Sequence, residues 1–131
     1  GEGFHNIADA KLKVVASQPA DFDRTKGMTV MENMLQANGD IKAVFAANDE
    51  MALGAMEAIS ASRKDILVVG FDATDDAISS IKDGKMGATI AQQPDLIGAT
   101  SVETAIKLIN GETVEKSIPV EVTLITAENA G

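Results

Sequence analysis

Four side chains could grip a polyhydroxylated ligand if the fold brought them to one place: Phe22, Asn48, Asp72 and Gln92. A carboxylate such as Asp72 accepts from two neighbouring hydroxyls at once, and charge-assisted bonds of this kind are roughly twice as strong as neutral ones. Asn48 and Gln92 each carry a donor and an acceptor on one amide, which matches a hydroxyl that both gives and takes. Phe22 offers a flat apolar surface to the C–H face of a pyranose or furanose ring at little entropic cost. Each residue also has a plainer use. Asn48 can cap a helix that begins at Asp49, Asp72 can close an Asx-turn, Gln92 can stay solvated ahead of Pro94, and Phe22 can plug a core. The set contains no nucleophile–base pair, metal-ligand cluster or phosphate cradle, so it predicts binding without catalysis and without a cofactor.

The segments between these residues alternate between two periodicities. Lys13–Ser17 is a β-prone run stopped by Gln18-Pro19-Ala20-Asp21, and Met28, Met31, Met34 and Leu35 recur at helical spacing within Phe22–Ala37. Asn38-Gly39-Asp40 ends that helix, with Gly39 suited to a left-handed terminus. Ile41–Ala46 is the next apolar run, and Asn48-Asp49-Glu50 opens a helix through Met51, Ala55, Met56 and Ile59. Asp65–Gly70 does not alternate and reads as a strand buried on both faces. A helix capped by Thr74 or Asp75 runs to Lys82, a fourth strand covers Met86–Ala91, a helix covers Pro94–Ile109, and Pro119–Ile125 alternates as a last strand. This order predicts an α/β fold, a mostly parallel, doubly wound (Rossmann-like) sheet with right-handed crossovers and helices on both faces. In such sheets ligands sit beyond the carboxyl ends of the strands, and Phe22, Asn48, Asp72 and Gln92 each follow one of the first four strands.

Bulk properties narrow the partners. The 131 residues suit one domain of ordinary size. Twenty acidic residues against 11 basic ones give a net charge of −9, which repels a phosphate backbone and argues against nucleic acid as a partner. There is no cysteine, so thiol chemistry and disulfides are unavailable. The longest apolar runs are far shorter than a bilayer crossing requires. Asp49 and Glu50 suit the first turn of a helix electrostatically, the six Met residues suit core filling, His5 reads as a surface residue, and Asp75-Asp76 reads as a charged helix start.

Four segments together resemble a known family: Gln18-Pro19-Ala20-Asp21-Phe22-Asp23-Arg24, Ala47-Asn48-Asp49-Glu50-Met51-Ala52-Leu53-Gly54-Ala55, Val68-Val69-Gly70-Phe71-Asp72 and Ala88-Thr89-Ile90-Ala91-Gln92. They are similar to the ribose-binding proteins that feed ABC importers. The second segment is shared with many sugar-binding relatives, including repressor cores, whereas the first, with Ile90-Ala91-Gln92-Gln93-Pro94, is more particular to the ribose binders. The resemblance implies the C-terminal lobe of a type I periplasmic binding protein, with Phe22 stacking on the sugar and Asn48, Asp72 and Gln92 as polar contacts. It implies that residues 1–92 form the sugar-binding lobe, that residues 93–121 pack with an N-terminal lobe, and that residues 122–131 return. Gly1–Ala8 reads as the interior or end of a helix, and the lobe would be completed by a strand and helix ahead of Gly1. An arginine contact just before Gly1 and the opposing aromatic would also come from outside this sequence. The implied partners are ribose, the N-terminal lobe and a membrane permease, with a chemoreceptor as a further one and self-association through the helix over Pro94–Ile109 as a further expectation. The implied location is periplasmic or extracytoplasmic, lipid-anchored in a Gram-positive host. The alternative is the effector-binding core of a sugar-responsive transcriptional repressor.

Overall fold

A computed structural model describes residues 12–131; the expected helix over Gly1–Ala8 and the surface placement of His5 lie outside the described residues. Among the described residues, four helices and four strands follow in the order α1 (Arg24–Ala37), β1 (Ala43–Phe45), α2 (Asp49–Ser62), β2 (Leu67–Phe71), α3 (Asp75–Lys82), β3 (Ala88–Ala91), α4 (Pro94–Ile109) and β4 (Thr123–Ile125). The sheet order is β1-β2-β3-β4. The first three strands are parallel, with Phe45 opposite Val69 and Phe71 opposite Ile90, while β4 is antiparallel to β3 with Ile90 opposite Leu124.

Short polar side chains set the helix starts. Asp23 accepts from the Lys26 amide, Asn48 from the Met51 amide and Thr74 from the Ala77 amide, each satisfying one of the N–H groups that a helix start leaves unpaired. Pro94 opens α4, where its missing N–H costs nothing. Gly84 and Gly111 take positive φ after α3 and α4, the conformation glycine adopts without penalty. Gly39 does not; Asn38 closes α1 in an extended conformation, its amide donating to the Met34 carbonyl, so the expected left-handed terminus there is replaced by an ordinary cap.

The core lies on one face of the sheet. Met31 of α1, Ala52, Ala55 and Ile59 of α2, Val68 of β2 and Ile81 of α3 belong to one buried cluster. Crossovers of the same hand that step the same way across a sheet place their helices on the same side, and β1-β2-β3 steps one way throughout. Helix α1 reaches the cluster by lying closely on α2. A Cβ on Gly27 would stand 2.8 Å from the Met51 carbonyl oxygen, and one on Gly54 would collide with the Arg24 carbonyl.

Three expectations about strands are corrected. Residues Lys13–Ser17 form no strand; Leu12, Val14 and Val15 are exposed, and a β-prone run without a hydrogen-bonded ladder has nothing to hold it extended. Phe22 accordingly follows a turn rather than a strand and precedes α1, which starts at Arg24. Strand β2 is buried on one face only: Val68 and Gly70 are buried, whereas Leu67 is 55% exposed, because α2 and α3 both pack on the Val68 side. Helix α4 has no buried residue at all.

Candidate functional site

The parallel order of β1, β2 and β3 brings their carboxyl ends to one edge, and three of the four residues stand directly there. Asn48 follows β1 as the cap of α2, Asp72 follows β2 immediately, and Gln92 follows β3 immediately. The fourth, Phe22, reaches the same edge through Asn48, whose Nδ2 lies 3.4 Å from the Phe22 carbonyl oxygen. Asn48 therefore does two things with one amide, since its Oδ1 accepts from the Met51 amide at 2.9 Å. The capping reading of Asn48 is correct, and it leaves the donor side of the amide directed at the edge. Phe22 is 67% exposed, so it is no core plug; it sits with Asp21 in a turn where both have positive φ.

Asp72 and Gln92 form the second pair. Gln92 Nε2 donates to Asp72 Oδ1 at 2.8 Å, and both residues are exposed. The bond fixes the orientation of the Gln92 amide, so its Oε1 acceptor and the carboxylate of Asp72 are presented as a unit. A carboxylate has about four acceptor positions, so one bond from Gln92 leaves it able to receive hydroxyls. Asp72 holds an unusual backbone conformation, φ 117°, followed by Ala73 at φ 58°.

Two features at this edge escaped the sequence reading. The first is Arg24, whose Nε and Nη2 donate to the two oxygens of Glu50 at 3.0 and 2.9 Å while Nη2 also donates to Asp76 at 3.0 Å. The hydrogen bonds that the guanidinium donates to Glu50 first, and then to Asp76, raise its pKa further above its already high value. One side chain thus links the starting turns of α1, α2 and α3, the helices that follow Phe22, Asn48 and Asp72. The second is the buried pair Asp49 and Thr89, both 0% exposed. Asp49 Oδ1 accepts the Thr89 hydroxyl at 2.7 Å, and Asp49 Oδ2 accepts the Thr74 amide at 2.7 Å. A structural role for Asp49 was legible from its place in a first helical turn, but its partners were not. The available hint was a threonine inside the apolar run Gly87–Ala91. Among the described residues no group of three or more His, Cys, Asp or Glu is arranged to hold a metal ion, and no helix is long and apolar enough to cross a membrane.

This edge presents a carboxylate–amide pair, an amide-capped helix and an exposed phenyl ring, groups that can donate and accept hydrogen bonds beside an apolar face. The chain belongs to the periplasmic binding protein domain family, whose profile matches residues 1–113. It is 62% identical to the ribose import binding protein of Bacillus subtilis over 126 residues, covering 96% of this chain and 41% of that protein. It is 42% identical over 114 residues to the D-allose-binding periplasmic protein of Escherichia coli, covering 86% and 36%. Among solved structures, the myo-inositol-bound myo-inositol binding protein of Caulobacter superposes with a TM-score of 0.84 at 34% identity, covering 98% of this chain and 46% of that one. The chain spans less than half the length of the curated relatives it matches.

Proposed function

We propose that this chain supplies one side of the cleft of a sugar-binding protein serving an ABC importer, that ribose is its ligand, and that Phe22, Asn48, Asp72 and Gln92 are the contacts it contributes. The observation that carries the proposal is the Asp72–Gln92 pair at the carboxyl edge of the sheet, in a chain 62% identical to a ribose import binding protein. Similarity to import binding proteins favours transport over the repressor-core alternative. The D-allose and myo-inositol relatives are named for related polyols, which suit the same carboxylate–amide chemistry; the pentose is preferred because the ribose relatives are the more similar. The ligand would be held without chemistry, outside the cytoplasm, and released to a membrane permease.

In this reading residues 1–92 and 122–131 belong to one lobe, and residues 93–121 pack against a second. Two observations support it: α4 buries none of its residues, and Gln93 Nε2 donates to the Glu121 carbonyl at 3.1 Å, tying together the two places where the chain would cross. Closure of the lobes on the sugar would then require tighter binding to the closed form than to the open one.

The test is calorimetric titration of ribose into this chain alone, then into a mixture with the part of the Bacillus subtilis relative that this chain does not match. Saturable binding in the mixture is expected, weakened about 100-fold by Asp72→Ala, the loss of roughly two hydrogen bonds to a charged group. No heat from a mixture shown to be folded and associated overturns the assignment.

A further inference from the structure

The turn that carries Asp72 is strained, and three bonds hold it. Positive φ at two consecutive non-glycine residues, Asp72 and Ala73, persists only where the surroundings over-determine the backbone. The Asp72 amide donates to the Ile90 carbonyl at 2.8 Å, the Ala73 amide to Thr89 Oγ1 at 3.2 Å, and the Thr74 amide to Asp49 Oδ2 at 2.7 Å. Two of these three tethers end on the buried pair Asp49 and Thr89, which are themselves joined at 2.7 Å. Asp49 is the first residue of α2, where its carboxylate would ordinarily serve the open amides of its own helix. Both of its oxygens instead serve β3 and the turn after β2. Strand β2 makes room for this: a Cβ on Gly70 would collide with Asp49 Oδ1 and lie 2.5 Å from the Met86 methyl.

We infer that Asp49 and Thr89 are positioning residues for Asp72. They hold the 72–74 turn in its strained form, and that form aims the Asp72 carboxylate at Gln92 and at the ligand. The ligand part rests on the reading of Asp72 as a sugar contact; the aiming part does not. Removing either buried partner lets the turn relax to ordinary φ values, which swings the carboxylate away from Gln92.

The test compares Thr89→Val, which keeps the shape and loses the hydroxyl, with Thr89→Ser, which restores it. By NMR on this chain, Thr89→Val is expected to speed amide exchange at Ala73 and Thr74 at least tenfold and to move the Gln92 side-chain amide resonances toward free-glutamine positions. Exchange at Val68 and Ile81 stays unchanged, and Thr89→Ser behaves as the parent. Should Thr89→Val not fold, Asp49→Asn is read in the same way. Unchanged exchange at 73–74, or an unchanged Gln92 amide, overturns the inference whether or not sugar binds. The second arm titrates ribose into the mixture described above: Thr89→Val should weaken binding about tenfold, and less than twofold further once Asp72→Asn is present. An equal loss in both backgrounds would show that Thr89 does not act through Asp72. Absence of ribose binding in the parent mixture rejects the functional reading and, with it, the ligand part of this inference, leaving the NMR arm to decide the aiming of the carboxylate.

Discussion

Asn48 serves two separate stretches of backbone with one side chain. Its oxygen closes the start of α2 and its nitrogen faces the Phe22 carbonyl, so the cap and the edge chemistry come apart only by substitution. Asn48→Asp keeps the acceptor that caps the helix and discards the donor. Thermal unfolding should find it within about 0.5 kcal/mol of the parent, whereas Asn48→Ala should lose about 1 kcal/mol; ribose affinity should fall in both. Equal stability of the two variants would mean that the cap contributes little. The Asn48 and Thr74 starts were legible residue by residue, because a cap is a local pattern with a local cause, whereas the Asp23 cap of α1 was passed over for a start at Phe22. The bond between Asp49 and Thr89 was not, since 40 positions separate them and no spacing rule reaches that far.

At the scale of elements, close approach decides where side chains may exist. Gly70 of β2 faces the Asp49 carboxylate and the Met86 methyl, while Gly98 in the middle of α4 meets nothing within 4 Å. The same substitution should therefore act in opposite directions. Gly70→Ala is expected to cost about 1–3 kcal/mol in urea denaturation through overpacking, and Gly98→Ala to gain about 0.5–1 kcal/mol from reduced backbone entropy. A neutral Gly70→Ala would show that the carboxylate can move aside freely. The helices were legible from periodicity because their cause is again local. The strands were less so, and for a reason: Lys13–Ser17 has strand composition yet forms none, since a ladder is a property of two segments. Leu67 was expected to be covered and is not, because the direction of sheet stepping, which no single run encodes, placed α2 and α3 on the other side.

Across the whole molecule, apolar surface is unevenly shared. One face of the sheet is packed, while α4 leaves Val102, Ile106 and Ile109 exposed, the last at 83%, and burying each such side chain would contribute roughly 1.5–3 kcal/mol. Size-exclusion chromatography should therefore find the chain alone self-associating, and Val102→Lys with Ile106→Lys should return it to a monomer. A sharp monomer peak from the unsubstituted chain would show that this face is tolerated in water despite its composition. The antiparallel strand β4 has a different consequence, one of timing. Thr123–Ile125 cover the edge of β3, yet they follow Ala91 by roughly 30 residues. At a synthesis rate of about 5–20 residues per second, the ribosome takes about 2–6 s to deliver them after β3 has emerged. If β1 to β3 pair before Thr123–Ile125 dock, the hydrogen-bonding edge of β3 stands open, and an open edge is a template for pairing with another chain.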